Sequence, residues 1–255
     1  MRTLFRTCPL IACVLLLSLL TACGGVCSQA VQSPGECRID HFPEVTQQPN
    51  CCGPACIQAV FAFYDRDLDQ QDIARDVYDP SRRTTHGARM LLYAREQGFP
   101  AYSWNSSISD VKSKLAVGVP VIVLQQNSDE DESGHYRVLV GYSDRESKFL
   151  VMDPYYRELK EISYSHCERL WRSEGYWALL IIPREKDVFS EELGASNAVV
   201  HLDLCWAVYQ KGDYKTAMEE ANAALKLEPR NKFALSMRRK IQTKIAAAAP
   251  NAPGG

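Results

Sequence analysis

The sequence predicts an α+β protein: helices first, then an antiparallel sheet, then a small all-α tail. Three observations predict it. Helical apolar spacing runs through the first half of residues 42–184. Short β-type runs separated by turn residues fill the second half. Beyond residue 197 the spacing is helical again, with no further strand signal. A chain of 255 residues, 46% hydrophobic, has the material for one medium domain and a small one. Its net charge of -2, from 29 basic and 31 acidic residues with no basic stripe, speaks against a nucleic-acid partner.

The first helix follows Pro49-Asn50-Cys51-Cys52-Gly53-Pro54, because Ile57, Val60, Phe61 and Tyr64 fall at i, i+3, i+4 and i+7. Pro54 suits a first turn, where its missing N–H costs nothing. Further helices are expected over 69–78, over 85–97 with Gly98 as stop, and from Ser107 to Gly118. There Ser107-Ile108-Ser109-Asp110 reads as a capping box. The strand runs are 120–126, 135–142, 149–153, 158–162 and 176–182, interrupted by a short helix over 165–171. Residues 185–196 read as a linker and 247–255 as a low-complexity, mobile tail.

Chemistry concentrates at Cys52. A thiol in the first turn of a helix is favoured as thiolate by the dipole and the free N–H groups, and the thiolate is the nucleophilic form. Such a nucleophile needs a base and a group that orients the base. His135 opens one strand run and Asp153 closes the next, so an antiparallel pairing through a turn at 144–147 brings them to one rim. Cys51 is the rival nucleophile, and Asp153 before Pro154 could instead be a turn former. His86 reads as a helix-start residue and stays outside the site. No Cys/His spacing fits zinc, so neither metal nor cofactor is expected.

Residues 1–22 read as an address: Arg2 and Arg6, an apolar run over 10–20, then Leu20-Thr21-Ala22-Cys23-Gly24. This resembles the bacterial lipoprotein signal, which implies cleavage before Cys23 and acylation of its thiol. Membrane attachment follows, with Gly24 pointing to the outer membrane and a periplasm-facing site. Residues 23–41 then form a tether. Seven cysteines follow Cys23, an odd number, and Cys27 and Cys37 could pair in the exported protein.

Gln47 through Cys52-Gly53-Pro54-Ala55-Cys56, then Gly118-Val119-Pro120, Gly134-His135-Tyr136-Arg137 and Asp153-Pro154, resemble the papain-like peptidases related to bacteriocin-leader-processing enzymes. The resemblance implies a papain-like fold over 42–184, with Cys52 as nucleophile, His135 as base and acid, and Asp153 as orienting carboxylate. It also implies Gln47 as oxyanion donor, with Gln48 as the close rival. The match is to the stand-alone branch, and Cys51 stands where leader-processing enzymes often carry Asp. Residues 197–246, with Leu202, Leu204, Gly212-Asp213-Tyr214, Ala217, Ala224 and Pro229, resemble one tetratricopeptide repeat plus a capping helix. His201 and Cys205 depart from that pattern. A single repeat must pack on the main domain or on a protein partner. The expected activity is hydrolysis of a peptide or protein substrate. Acyl or peptidyl transfer on the same fold, and a non-catalytic adaptor, are the alternatives.

Overall fold

The computed structural model describes residues 35–248. The leader over 1–22, Cys23, Cys27 and residues 249–255 of the expected tail lie outside the described residues, while residues 247 and 248, also expected in the tail, are helical. In chain order the elements begin with strand β1 (Glu36–Arg38), helices α1 (Cys52–Phe63) and α2 (Gln70–Val77), strands β2 (Tyr78–Asp79) and β3 (Thr84–Thr85), and α3 (Gly87–Glu96). Next come β4 (Ala101–Asn105), α4 (Ile108–Ala116), β5 (Val121–Gln126), β6 (Gly134–Ser143), β7 (Lys148–Met152) and β8 (Lys160–Ser163). The chain continues through α5 (Tyr164–Arg172), β9 (Trp177–Ile181), α6 (Ala198–Gln210), α7 (Tyr214–Leu227) and α8 (Lys232–Ala248).

Seven strands form one sheet in the order β4-β9-β5-β6-β7-β8, with β1 also pairing to β6. Every pairing in it is antiparallel. The central strands β5, β6 and β9 are buried along most of their length, because helices cover the sheet. Helix α1 packs on β6, α5 on β5, and α6 on β4 and α3. The α+β expectation therefore holds, and α2, α4 and α5 start at side-chain caps. Asp69 accepts from the N–H groups of Gln71 and Asp72, Ser107 from Asp110, and Ser163 from His166.

Several details differ from the sequence reading. The end of the presumed tether is a strand. Glu36, Cys37 and Arg38 pair with Ser143, Tyr142 and Gly141, and Cys37 is buried with its Sγ donating to Leu115 O at 3.0 Å. Gly141 permits this approach, since a Cβ there would stand 2.7 Å from Cys37 O. Strand β4 went unrecognised. Its residues Ala101 to Trp104 are all buried, so the alternation that betrays a half-exposed strand is absent.

The capping box at Ser107 is half made. Asp110 turns its carboxylate to Trp104 Nε1 and Ser106 Oγ instead of the Ser107 N–H. Helix α3 starts at Gly87, later than expected, because Thr84–Thr85 pair with Tyr78–Asp79. Residues 185–196 are not a free linker: a π-helical turn spans Ser190–Ala195, and Phe189 and Leu193 enter the main core.

Helices α6, α7 and α8 pack on one another around Cys205, Ala217, Ala221, Met237 and Ile241. Val200 and Leu204 of α6 belong to the core of the main domain. The helical segment is thus fused to the sheet rather than hung from it.

Candidate active site

Residues 46–52 build one wall of the site. Gln70, 5% exposed, acts as a clamp: its Oε1 accepts from Gln48 N at 2.6 Å and its Nε2 donates to Thr46 O at 3.2 Å. Gln47 N donates to Pro154 O at 2.8 Å, which ties this wall to the end of β7. Asn50, at φ 61°, turns the chain so that Cys51 N reaches Gln48 O and α1 begins at Cys52. Gly53 must be glycine, because a Cβ would meet Thr85 Cγ2 at 2.6 Å.

The opposite wall comes from sheet register. Val138 pairs with Met152, so Asp153 follows on opposite Arg137, and His135 lies two residues along the same face of β6. His135 Nε2 donates to Asp153 Oδ1 at 2.9 Å. The other ring nitrogen is left to face Cys52, with which His135 makes a side-chain hydrogen bond. The structure therefore brings Cys52, His135 and Asp153 together. Gln47 lines the same cavity of about 430 Å³, and its Oε1 is buried without a partner among the described residues. Gln48 is exposed and does not line it.

The electrostatics separate the three neighbouring thiols. Burial by itself would raise the pKa of Cys52, but the hydrogen bond and charge of His135, with backbone bonds from Tyr136 and Gly53, outweigh it and hold the thiol below its ordinary value. Cys51 is pushed up by burial and by Cys52, and Cys56 further up by burial and the charges of Cys52 and Asp153. Burial would lower the pKa of His135, yet its bonds to Asp153 and Cys52 raise it. Burial also opposes ionisation of Asp153, but the hydrogen bond and charge of His135 and the charge of Arg137 bring it down to about 2. Both shifts favour the charged forms, thiolate at Cys52 and imidazolium at His135, and a thiolate is the form that attacks a carbonyl carbon.

Three contributors were missed in the sequence. Arg137 donates from Nε to Asp153 Oδ2 at 2.8 Å and from its other nitrogens to Gln125 Oε1, Gln126 O and Asn127 O. Its spacing of two from His135 on a strand was the available signal. Tyr155 lays its ring 4.9 Å from that of His135, and its N–H donates to Asp153 Oδ1 at 3.0 Å. His86 lines the catalytic cavity from the start of α3. Among the described residues no group of three His, Cys, Asp or Glu side chains is placed to hold a metal ion.

The Peptidase_C39 like family profile matches residues 39–179, more than half the chain. Among solved structures, the chain is similar to the peptidase domain of Streptococcus ComA, a bifunctional ABC transporter of a quorum-sensing pathway. Identity there is 18%, coverage 56% of this chain and 100% of that one, and the TM-score 0.48. A double glycine motif protease from an AMS/PCAT transporter, solved with its leader peptide, is 20% identical over 57% of this chain and 94% of that one, with a TM-score of 0.45. Xylellain, a cysteine protease from Xylella fastidiosa, is 14% identical over 59% and 86%, with a TM-score of 0.44. No curated protein matches the chain.

Proposed function

The chain belongs to the Peptidase_C39 like family of cysteine peptidases, and from that premise we propose that it cuts peptide bonds with Cys52, His135 and Asp153 as its catalytic triad. The observation that carries this reading is the hydrogen-bonded chain from Cys52 through His135 to Asp153 at the edge of a cavity. The Cys52 thiolate attacks the scissile carbonyl carbon, and its C=O pair moves onto oxygen. The oxyanion takes hydrogen bonds from the Gln47 side-chain amide and the free N–H groups at the start of α1. Collapse breaks the C–N bond, and His135 gives its proton to the departing amine. Water, deprotonated by the same imidazole, then cleaves the thioester, and the thiolate–imidazolium pair returns. Asp153 keeps the ring in the tautomer this cycle needs.

We further propose that the leader ends in a lipid anchor at Cys23, holding the enzyme at the outer membrane of the cell envelope. Residues 197–246 then act as a tetratricopeptide-like unit. Support for the unit comes from the packed α6–α7 pair with Gly212 at its turn. The decisive assay follows product masses from a defined peptide pool. Two fragments whose masses sum to substrate plus water, lost in Cys52→Ala and in His135→Ala, are expected. Amine adducts in place of the acid product would redirect the assignment to transfer, and full activity of Cys52→Ala would end it.

A further inference from the structure

A second cavity of about 280 Å³ adjoins the Cys52 cavity, with which it shares His86, Gly87, Leu124 and Glu174. The C-terminal helices build the far side of this second cavity, through Asp203 and Trp206 of α6 and Phe233 of α8. Trp177 of β9 completes it, its indole fixed by donation from Nε1 to Asp203 Oδ2 at 2.9 Å. Gly87 makes room for that indole, since a Cβ would meet its ring at 2.5 Å. Trp206 lies 4.8 Å from the His86 ring, centroid to centroid.

The charge of the lining is one-sided. Glu174 and Asp203 line it, the Asp203 carboxyl pushed up by burial so that Glu174 carries the charge, and no lysine or arginine does. Burial and the neighbouring Arg89 and Arg82 favour the neutral form of His86. Asp203 is already engaged by Trp177, whereas the Glu174 carboxylate makes no ion pair or side-chain hydrogen bond among the described residues. Arg89 lies over the Trp206 ring, 6.0 Å from its centroid, and is not among the lining residues. Aromatic faces beside an unpaired carboxylate are the chemistry that holds a cation.

We infer that this second cavity is a subsite for a lysine or arginine side chain of the peptide substrate, with Glu174 as counter-ion and Trp177, Trp206 and Phe233 as apolar contacts for the stem. The subsite presupposes the peptidase chemistry proposed above. The four lining residues shared with the Cys52 cavity are what make the occupant part of the substrate and not an independent ligand. The C-terminal helices then contribute to specificity, because the subsite is incomplete without them.

Binding to the full chain carrying Cys52→Ala tests this without requiring turnover. Fluorescein-labelled octapeptides with one lysine walked through an alanine–serine background are titrated by fluorescence polarisation, beside a matching norleucine panel. At one position of the walk, lysine should bind about tenfold tighter than norleucine, and Glu174→Gln should shrink that ratio to about twofold or less. Raising the salt concentration should shrink it in the unsubstituted Glu174 background as well. Equal binding of the two panels, a lysine advantage that survives Glu174→Gln, or no binding of either panel would overturn the subsite. A parallel cleavage assay on the chain with Cys52 intact separates the two claims. Cleavage without lysine preference overturns the subsite alone; lysine-dependent binding without cleavage overturns the peptidase reading alone.

Discussion

Arg137 and Asp153 form a buried ion pair directly behind the candidate nucleophile's base: Nε donates to Oδ2 at 2.8 Å while Oδ1 holds His135. One carboxylate thus serves two cations, each on its own oxygen. The guanidinium is itself pinned by Gln125 Oε1 and two backbone carbonyls, so Asp153 has little freedom to turn. Orientation of the imidazole is set two residues away from the imidazole.

Removing Arg137 should therefore cost both fold and activity. Arg137→Met leaves Asp153 without its second partner in a buried site, a loss of roughly 3–5 kcal/mol for a broken buried pair. Arg137→Lys should recover little, since one ammonium cannot reach the four acceptors that the guanidinium fork serves. Urea unfolding of the three proteins checks this. Lysine matching arginine in stability would show that charge, and not the fork, matters.

Alkylation should reveal the ion pair at Cys52. The Cys52 thiol pKa is lowered by its bond to and the charge of His135, and the His135 pKa is raised by its bonds to Asp153 and Cys52, so each group favours the charged form of the other. Iodoacetamide labelling should be fast and flat across pH 6–8, with the label on Cys52 and not on Cys51 or Cys56, whose pKa values are pushed up. In His135→Ala the rate should climb with pH toward an apparent value near 8.5. A flat profile that survives loss of the imidazole would refute the pairing.

Acid should unfold the protein partly through Asp153. Its folded pKa of about 2 lies below the ordinary carboxylate value of about 3.9. Ionised Asp153 therefore stabilises the fold above about pH 4, by roughly 2–3 kcal/mol, and this fades as pH falls toward 2. His135 carries the opposite dependence: its pKa is raised, so its contribution is present below about 6.5 and is lost as pH rises through the folded value. Stability of the parent minus that of Asp153→Asn, followed by urea unfolding from pH 6 down to 2, should narrow steadily below pH 4. A gap that stays constant would contradict the assignment.

Gln47 and Gln48 should part ways in turnover. Gln47→Ala should lower kcat by about 10²–10³ with little effect on KM, the typical cost of a lost oxyanion donor. Gln48→Ala should stay within about threefold of the parent, because its side chain is exposed and its tie to Gln70 is through the backbone N–H. Equal losses would mean that the clamped segment, and not the Gln47 amide, is what turnover needs.

The sequence alone determined the local parts. Apolar period marked α1 and put Cys52 at its first residue, and the strand runs around His135 and Asp153 were set by their own composition. Those features depend on neighbours a few residues away, which a linear reading contains. Tertiary structure decided the rest. Glu36–Arg38 become a strand only because Gly141 lets them approach, and β4 is hidden by burial of consecutive residues. Arg137, next to the apolar run Val138-Leu139-Val140 of β6, turns inward because Asp153, Gln125 and two carbonyls await it there. Trp206 and Phe233 line the cavity beside the Cys52 cleft across a gap in sequence that no periodicity spans. Contacts between distant segments depend on how whole elements pack, and that packing is settled by the summed burial of the molecule, not by any one stretch of it.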